Sequence, residues 1–257
     1  MHPTLRTLIA SIPGARGVRN WLKAKYSWLR FIRDFRTFSR LSAAAGLKKS
    51  TWHDRFPCLT DKTTSTEFPR HYVYHTAWAA RKLIENPPAL HVDISSSLYF
   101  VGIASAFVPM EHYDYRPPNL HLDNLRVKSG DLTNLPFAND SIPSLSCMHV
   151  LEHIGLGRYG DPLNPLGDVE AAREISRVLA PGGTLLFVTP VGKPRTCFNA
   201  HRIYSYDQVC QMFPDLEVEE FRLLPDESDG FGLIEASPSV VARQGYGCGC
   251  FKFGKRA

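Results

Sequence analysis

The chain has 257 residues, 44% of them hydrophobic and 21% charged, the composition of a soluble globular protein and the length of one α/β domain with an extension or of two small domains. No apolar run approaches a membrane span, and the TLIASI segment after Arg6 is too short for a secretory core, so a cytoplasmic location is the expectation. Of the six cysteines (Cys58, Cys147, Cys197, Cys210, Cys248 and Cys250) only the last two are close. Two cysteines do not complete a structural zinc site, so reduced thiols and no metal are expected.

The basic charge is concentrated at the start. Residues 1–55 hold twelve Arg and Lys against Asp34 and Asp54, a balance of +10, which against +5 for the whole chain leaves −5 for the rest. From Val18 to about Ala45 a helical pattern interleaves Trp21, Leu22, Trp28, Phe31, Phe35 and Phe38 with cations. Such a helix can lie on an anionic membrane surface, as a peripheral attachment through residues 1–55, or can pack its aromatic face on a domain while its cations stay solvated. No nucleic-acid-binding motif is visible. Residues 46–70 read as a polar connector, so the expected division is a basic helical extension over 1–70 and an α/β domain over 71–257.

A helix over His71–Glu85 is ended by Asn86-Pro87-Pro88, and Ala89–Ile94 is the expected first strand. After the turn Ser95-Ser96-Ser97, a helix is expected through about Phe107 and then a second strand ending at Asp114. Pro117-Pro118 discourages a crossover helix, so a short link should lead to the third strand before Gly130-Asp131. A polar turn at Asn139-Asp140-Ser141 precedes the fourth strand, SLSCMHV, and Leu151-Glu152-His153. A Gly/Pro-rich loop at 155–168 leads to a helix over Val169–Leu179, with Asp168 as its expected N-cap and Pro181-Gly182-Gly183 as its stop. The fifth strand is TLLFVT. A polar loop then reaches a helix that Ser205 and Gln208 should start as a capping box. The runs 216–224 and 246–253 are expected to pair antiparallel, with a mobile connection over 225–239. The pattern as a whole predicts a Rossmann-like doubly wound sheet of about seven strands with a C-terminal antiparallel pair, and ligands at the carboxyl ends of its strands.

Asp114 follows Asp93 by 21 residues, near the interval at which such folds set a carboxylate on a ribose diol; the alternative is a surface aspartate at a strand end. Arg158 and Tyr159, in the long loop, suit an anionic or sugar-like substrate, or are merely solvated. Lys193, Arg195, Asn199, His201, Arg202 and Tyr204 share a second polar loop that should face the same opening.

The segments GDLTNLPFANDSI, LEHI and RVLAPGGTLLFVTP, in one order over roughly Ala89–Val191, resemble the class I S-adenosylmethionine-dependent methyltransferases, in particular the quinone-biosynthesis branch and an uncharacterised group associated with surface-glycan genes. The resemblance implies methyl transfer from S-adenosylmethionine to an oxygen or nitrogen of a small-molecule, glycan or glycolipid acceptor. It implies cofactor contacts from Asp93, Ser95, Ser97, Asp114, Asp131, Leu132 and His149, with Asp131 reading the adenine amino group. Tyr72, Tyr74 and His75 would cover the cofactor or pack in the core. His153 or His201 would accept a proton, with Glu152 orienting His153 or capping the next turn, and Arg158, Tyr159, Arg195, Asn199 and Arg202 would meet the acceptor. One departure is plain: serines occupy the turn where the family has glycines, and serine enters positive φ less freely. That departure motivates a rival expectation, a non-catalytic module serving as a scaffold in surface-glycan assembly at a membrane; a nicotinamide-linked oxidoreductase is a third, which depends on the same glycine turn.

Overall fold

A computed structural model describes residues 15–226 and 232–256, and the chain divides into two compact units, Met1–Glu67 and Phe68–Ala257. In the first unit, helix α1 (Ala15–Ala44) carries the basic and aromatic residues. The segment that follows folds back on it: Trp52 meets Phe35 edge-on at 5.1 Å between ring centroids and Trp28 at 6.4 Å, while Trp28 stacks on Phe31 at 5.6 Å. Trp21, Leu22 and Tyr26 stay exposed, with the Lys25 ammonium 3.8 Å over the Trp21 ring.

The second unit begins with α2 (Arg70–Glu85) and continues through β1 (His91–Ile94), α3 (Leu98–Ala104), β2 (Met110–Asp114), β3 (Leu125–Ser129) and β4 (Ile142–Met148). Next come α4 (Gly167–Val178), β5 (Leu179–Val191), a hairpin of β6 (Arg195–Cys197) and β7 (His201–Ile203), α5 (Tyr206–Met212), β8 (Leu216–Leu224), α6 (Pro238–Val241) and β9 (Gly247–Lys255). Seven strands form one sheet in the order β3-β2-β1-β4-β5-β9-β8, the first five parallel and β9 antiparallel to both neighbours. The expected doubly wound fold with a C-terminal antiparallel pair is therefore present. No crossover helix joins β2 to β3.

Both sheet faces are covered, so every residue of β1 is buried. On one face Ala171, Ala172, Ile175 and Val178 of α4 pack on Val92, Ile94, Leu145 and Leu185; burying Ile175 and Val178 contributes about 1.5–3 kcal/mol each. On the other, Trp78 and Leu83 of α2 and Phe100 and Val101 of α3 pack with Met110, Met148, Cys248 and Cys250.

The second face also holds a polar ladder. His91 Nε2 and Nδ1 lie 2.9 Å and 2.7 Å from the hydroxyls of Ser146 and Ser144. Ser146 donates its hydroxyl to Asp93 Oδ1 and therefore accepts from His91 Nε2–H, which leaves Nδ1 to accept from Ser144. Burial pushes His91 down to about 4, so it stays neutral.

Two local expectations change. Asp168 is not the N-cap of α4: Leu166 occupies that position, and Asp168, the second helical residue and buried, accepts from Tyr204 Oη at 2.9 Å and pairs with Arg202 Nε at 3.4 Å. A carboxylate near a helix start still opposes the dipole, but tertiary partners fix its direction. The connection over 225–239 is only partly open to description, since 227–231 lie outside the described residues. From 232 it is tied down, with Leu223 and Ile234 exchanging two backbone bonds of 2.9 Å before α6. The capping box of α5 forms, Ser205 Oγ accepting from Gln208 N at 3.1 Å and Gln208 Oε1 from Ser205 N at 2.9 Å.

Candidate functional site

The carboxyl ends of β1 to β4 open into a cavity of about 340 Å³. It lies where β1 adjoins β4 and the strand order reverses, the place at which doubly wound sheets bind ligands. Among its lining residues are Ser95, Ser96 and Ser97 after β1, Asp114 at the tip of β2, Asp131 and Leu132 after β3, and His149 after β4. Tyr72, Arg116, His153, Tyr159 and Asp161 complete its mouth.

Asp93 shapes the serine turn from below, and its place as a cofactor contact is corrected. It is fully buried, with Oδ2 accepting from Ser96 N at 3.1 Å and from His112 Nδ1 at 2.8 Å. Burial opposes its charge, but His112 and the hydroxyl and amide donors outweigh that and hold it below the usual carboxylate range; the same pairing holds His112 above its ordinary value against burial. Ser96 Oγ in turn accepts from Met148 N at 3.1 Å, tying the turn to the end of β4. Ser95 takes φ +53°, the region glycine usually supplies, and Ser95 N and Oγ both donate to the Tyr113 carbonyl, at 2.8 Å and 3.2 Å. Serine thus adopts the glycine conformation by turning its hydroxyl back onto the neighbouring strand.

Asp114 Oδ1 accepts from Arg116 N at 2.7 Å, and Asp131 Oδ1 from Thr133 N and Oγ1 at 2.8 Å and 2.7 Å. Each aspartate thus spends one oxygen on its own turn while its residue lines the cavity. Leu132, 5% exposed, supplies the apolar wall. The long loop is pinned by Asp161, which accepts from the backbone amides of Gly155, Gly157 and Tyr159. Gly155 has φ +78°, and a Cβ there would stand 2.0 Å from the Asn164 carbonyl oxygen, so the loop needs glycine at that position.

Of the two expected proton acceptors, His153 lines the cavity and His201 does not; His201 packs against Tyr246 at 4.9 Å. His153 Nδ1 lies 2.6 Å from the Ala200 carbonyl, which can only accept, so Nδ1 carries a proton. Glu152 is corrected as its orienting partner. Glu152 Oε1 accepts from His149 Nδ1 at 2.8 Å and is 3.9 Å from His153 Nε2, with Thr189 Oγ1 at 3.5 Å from Oε2. Burial works against both charges of this pair; Cys248 first and Glu152 second raise His149 against it, and His149 lowers Glu152.

The expected acceptor contacts divide. Tyr159 lines the cavity, edge-on to His153 at 5.6 Å, with the guanidinium of Arg116 4.8 Å over its ring. Arg158 also packs on Tyr159 and donates to the Ala200 carbonyl at 3.0 Å, outside the lining. Arg202 is structural, donating to the Ile154 carbonyl at 2.7 Å and pairing with Asp168, because β7 turns it toward α4. Arg195 is turned the other way, bonding the carbonyls of Lys193 and Gly245, and Asn199 lies exposed outside the cavity wall.

A cluster that sequence spacing did not reveal stands beside the cavity. His71 stacks on His149 at 5.2 Å and on Tyr246 at 4.9 Å, His75 approaches His149 at 5.0 Å, and Cys248 Sγ lies 3.5 Å from His149 Nε2. Burial first, and the cationic His149 second, push His71 down to about 4 and His75 well below its ordinary value. His149 itself has φ +58°, an uncommon backbone for a residue with a ring, of the kind found at functional sites.

Residues 137–221 match the family described as Caenorhabditis protein of unknown function, DUF268, over about a third of the chain. No protein of curated function matches the sequence. Among solved structures, a chain from the Haloferax volcanii complex of the Trm112 methyltransferase activator is 19% identical over 73% of this chain and 91% of its own, with a TM-score of 0.51. The N-methyltransferase NodS from Bradyrhizobium japonicum WM9, in complex with S-adenosyl-L-homocysteine, is 14% identical over 71% of this chain and 86% of its own, also at 0.51. The 1,6-didemethyltoxoflavin-N1-methyltransferase of Burkholderia thailandensis is 12% identical over 71% and 79%, at 0.50. At these identities the likeness establishes the fold, which is the one used by class I S-adenosylmethionine-dependent methyltransferases.

Proposed function

We propose that the chain transfers a methyl group from S-adenosylmethionine to an oxygen or nitrogen of a polar small-molecule acceptor. The observation that carries this reading is the cavity at the β1–β4 switch point, with two aspartates and a serine turn converging on it from three adjacent strands. The residues fit the cofactor because Ser95 adopts positive φ with its hydroxyl folded away onto the Tyr113 carbonyl. Asp114 would hold the ribose diol, Asp131 the adenine amino group with Leu132 against the ring, and the Ser95–Ser97 turn the methionine end. When bound, the cofactor supplies an electrophilic sulfonium methyl. The protein's part would be alignment and exclusion of water, and His153, which lines the cavity, would take the acceptor's proton.

Tyr159, Arg116 and the nearby Arg158 give the mouth the aromatic and cationic character that sugars and their anionic derivatives favour, and this supports a glycan or glycolipid acceptor. The basic α1, with Trp21, Leu22 and Tyr26 exposed, supports attachment of the first unit to an anionic membrane surface. Calorimetric titration of the full chain with S-adenosylhomocysteine is the test. Saturable heat is expected, and folded protein giving none at millimolar ligand would overturn the enzyme reading in favour of a non-catalytic module.

A further inference from the structure

The strongest feature outside the proposed cofactor contacts is the convergence of three side chains from distant parts of the chain. His71 comes from the first turn of α2, His149 from the end of β4 and Cys248 from β9, and their ligand atoms all lie within 4.8 Å of one another. We propose that these three residues hold a zinc ion, leaving a fourth coordination position for water or for an oxygen or sulfur ligand arriving through the cavity that His149 lines.

Geometry argues for the ion first. Zinc bonds of about 2.3 Å to sulfur and 2.0–2.1 Å to nitrogen, at a tetrahedral angle, separate the two ligand atoms by roughly 3.5 Å. Cys248 Sγ and His149 Nε2 are 3.5 Å apart, so one edge of the tetrahedron is already in place. The supporting contacts are those a metal-binding histidine needs. The far nitrogen of His149 donates to Glu152 at 2.8 Å, which fixes the ring and leaves Nε2 as the ligating atom, and the His71 ring is held by stacking on His149 and Tyr246.

Charge and burial point the same way. Cys248 and Glu152 are 0% and 1% exposed; on binding the ion Cys248 gives up its proton and His149 ligates as the neutral imidazole, and the divalent cation then balances the thiolate and the carboxylate. His75 lies beside this set without belonging to it. It is fully buried beside His149, yet neither ring nitrogen meets a partner at hydrogen-bonding geometry, the His71 backbone one turn earlier falling short of it. One thiolate with two imidazoles is a borderline-soft set suited to zinc, and three protein ligands are the number that leaves an exchangeable position. The expectation of metal-free thiols counted cysteine spacing alone; the histidines that complete the set lie about 100 and 180 residues away.

The site stands whether or not S-adenosylmethionine binds. The full chain, stripped with chelator, is titrated with Zn²⁺ and separately with Co²⁺, while S-adenosylhomocysteine binding is measured in parallel. One zinc per chain is expected, and the cobalt form should show thiolate-to-metal charge transfer in the near ultraviolet. C248S should abolish that absorption, E152Q should weaken zinc binding by about 10–100-fold, and a C58S/C197S/C210S variant should match the wild type. A wild-type protein without the charge-transfer band, or a folded C248S that binds zinc as tightly as wild type, overturns the site. If C248S does not fold, H71Q decides: His71 is only partly buried, and zinc affinity unchanged in H71Q overturns the proposal.

Discussion

Replacing Asp93 with asparagine removes one charge from the middle of the sheet while keeping the side chain's shape. The asparagine carbonyl has to take the Oδ2 position, because the Ser96 amide there can only donate. Its NH2 then faces Ser146, whose hydroxyl turns to accept it and donates instead to His91 Nε2; His91 answers by moving its proton to Nδ1 and donating to Ser144. The Ser144 hydroxyl and one hydrogen of the new amide are left without a named acceptor, and charge assistance is lost as well. Hydrogen bonds to a charged group contribute about 1.5–3 kcal/mol against about 1 for neutral ones, and three bonds are affected. Part of the difference is offset because a buried carboxylate no longer has to be desolvated, which leaves about 2–4 kcal/mol of destabilisation. Urea unfolding should show a lower midpoint at unchanged slope, and S-adenosylhomocysteine should bind more weakly because the serine turn loses its anchor. A loss below about 1 kcal/mol would refute an ionised Asp93 holding that turn.

The same variant has a signature in pH. Asp93 is held below its ordinary value, so its contribution is complete above about pH 4 and is lost as pH falls through the lowered folded value. His112 is held above 6.5, so its contribution is complete below that pH and is lost as pH rises through the raised folded value. D93N should flatten both limbs, each of which has a slope of at most about 1.4 kcal/mol per pH unit in the wild type.

D114N and D131N should each weaken S-adenosylhomocysteine binding about tenfold or more at an unchanged urea midpoint, and wild-type affinity in both would remove the nucleoside assignment. With an accepted substrate in hand, H153Q should lower kcat by about 10²–10⁴-fold and leave cofactor affinity intact, whereas H201Q should change kcat little; equal losses would reverse the choice of proton acceptor. S95G relieves a left-handed φ worth about 1 kcal/mol and forfeits a hydroxyl bond of similar size, so its melting temperature should stay close to wild type. A large fall would mean that the hydroxyl, rather than the backbone, holds the turn.

Much of the fold was readable because it rests on local patterns. The Ser205–Gln208 box acts within a few residues, and Pro117-Pro118 discourages a crossover helix where none is found, whereas Pro181-Gly182-Gly183, expected as a helix stop, lies inside β5, which already begins at Leu179. The strand-tip residues Ser95, Ser97, Asp114, Asp131 and Leu132 line the cavity because parallel topology alone carries strand ends to one edge. Roles that depend on which way a side chain turns were not readable. Asp93 and Glu152 have the right type at the right spacing, yet each faces a histidine, one on a neighbouring strand and one on its own loop. Arg195 and Arg202 sit seven residues apart in one loop and point to opposite structural tasks once β6 and β7 pair. The meeting of His71, His149 and Cys248 depends on three long-range packings at once, and no spacing rule encodes it.

Joined to β2 by a short link, β3 is the outermost strand at one end of the sheet. A bare strand invites another chain to dock along it, and the outermost strand here has Arg126 and Lys128 at alternate positions, both reaching for Glu111. Two such rims brought together would set cation against cation, so the economy of the short link is matched by a barrier to fibrous growth, and removing those two charges should make the protein precipitate at lower concentration.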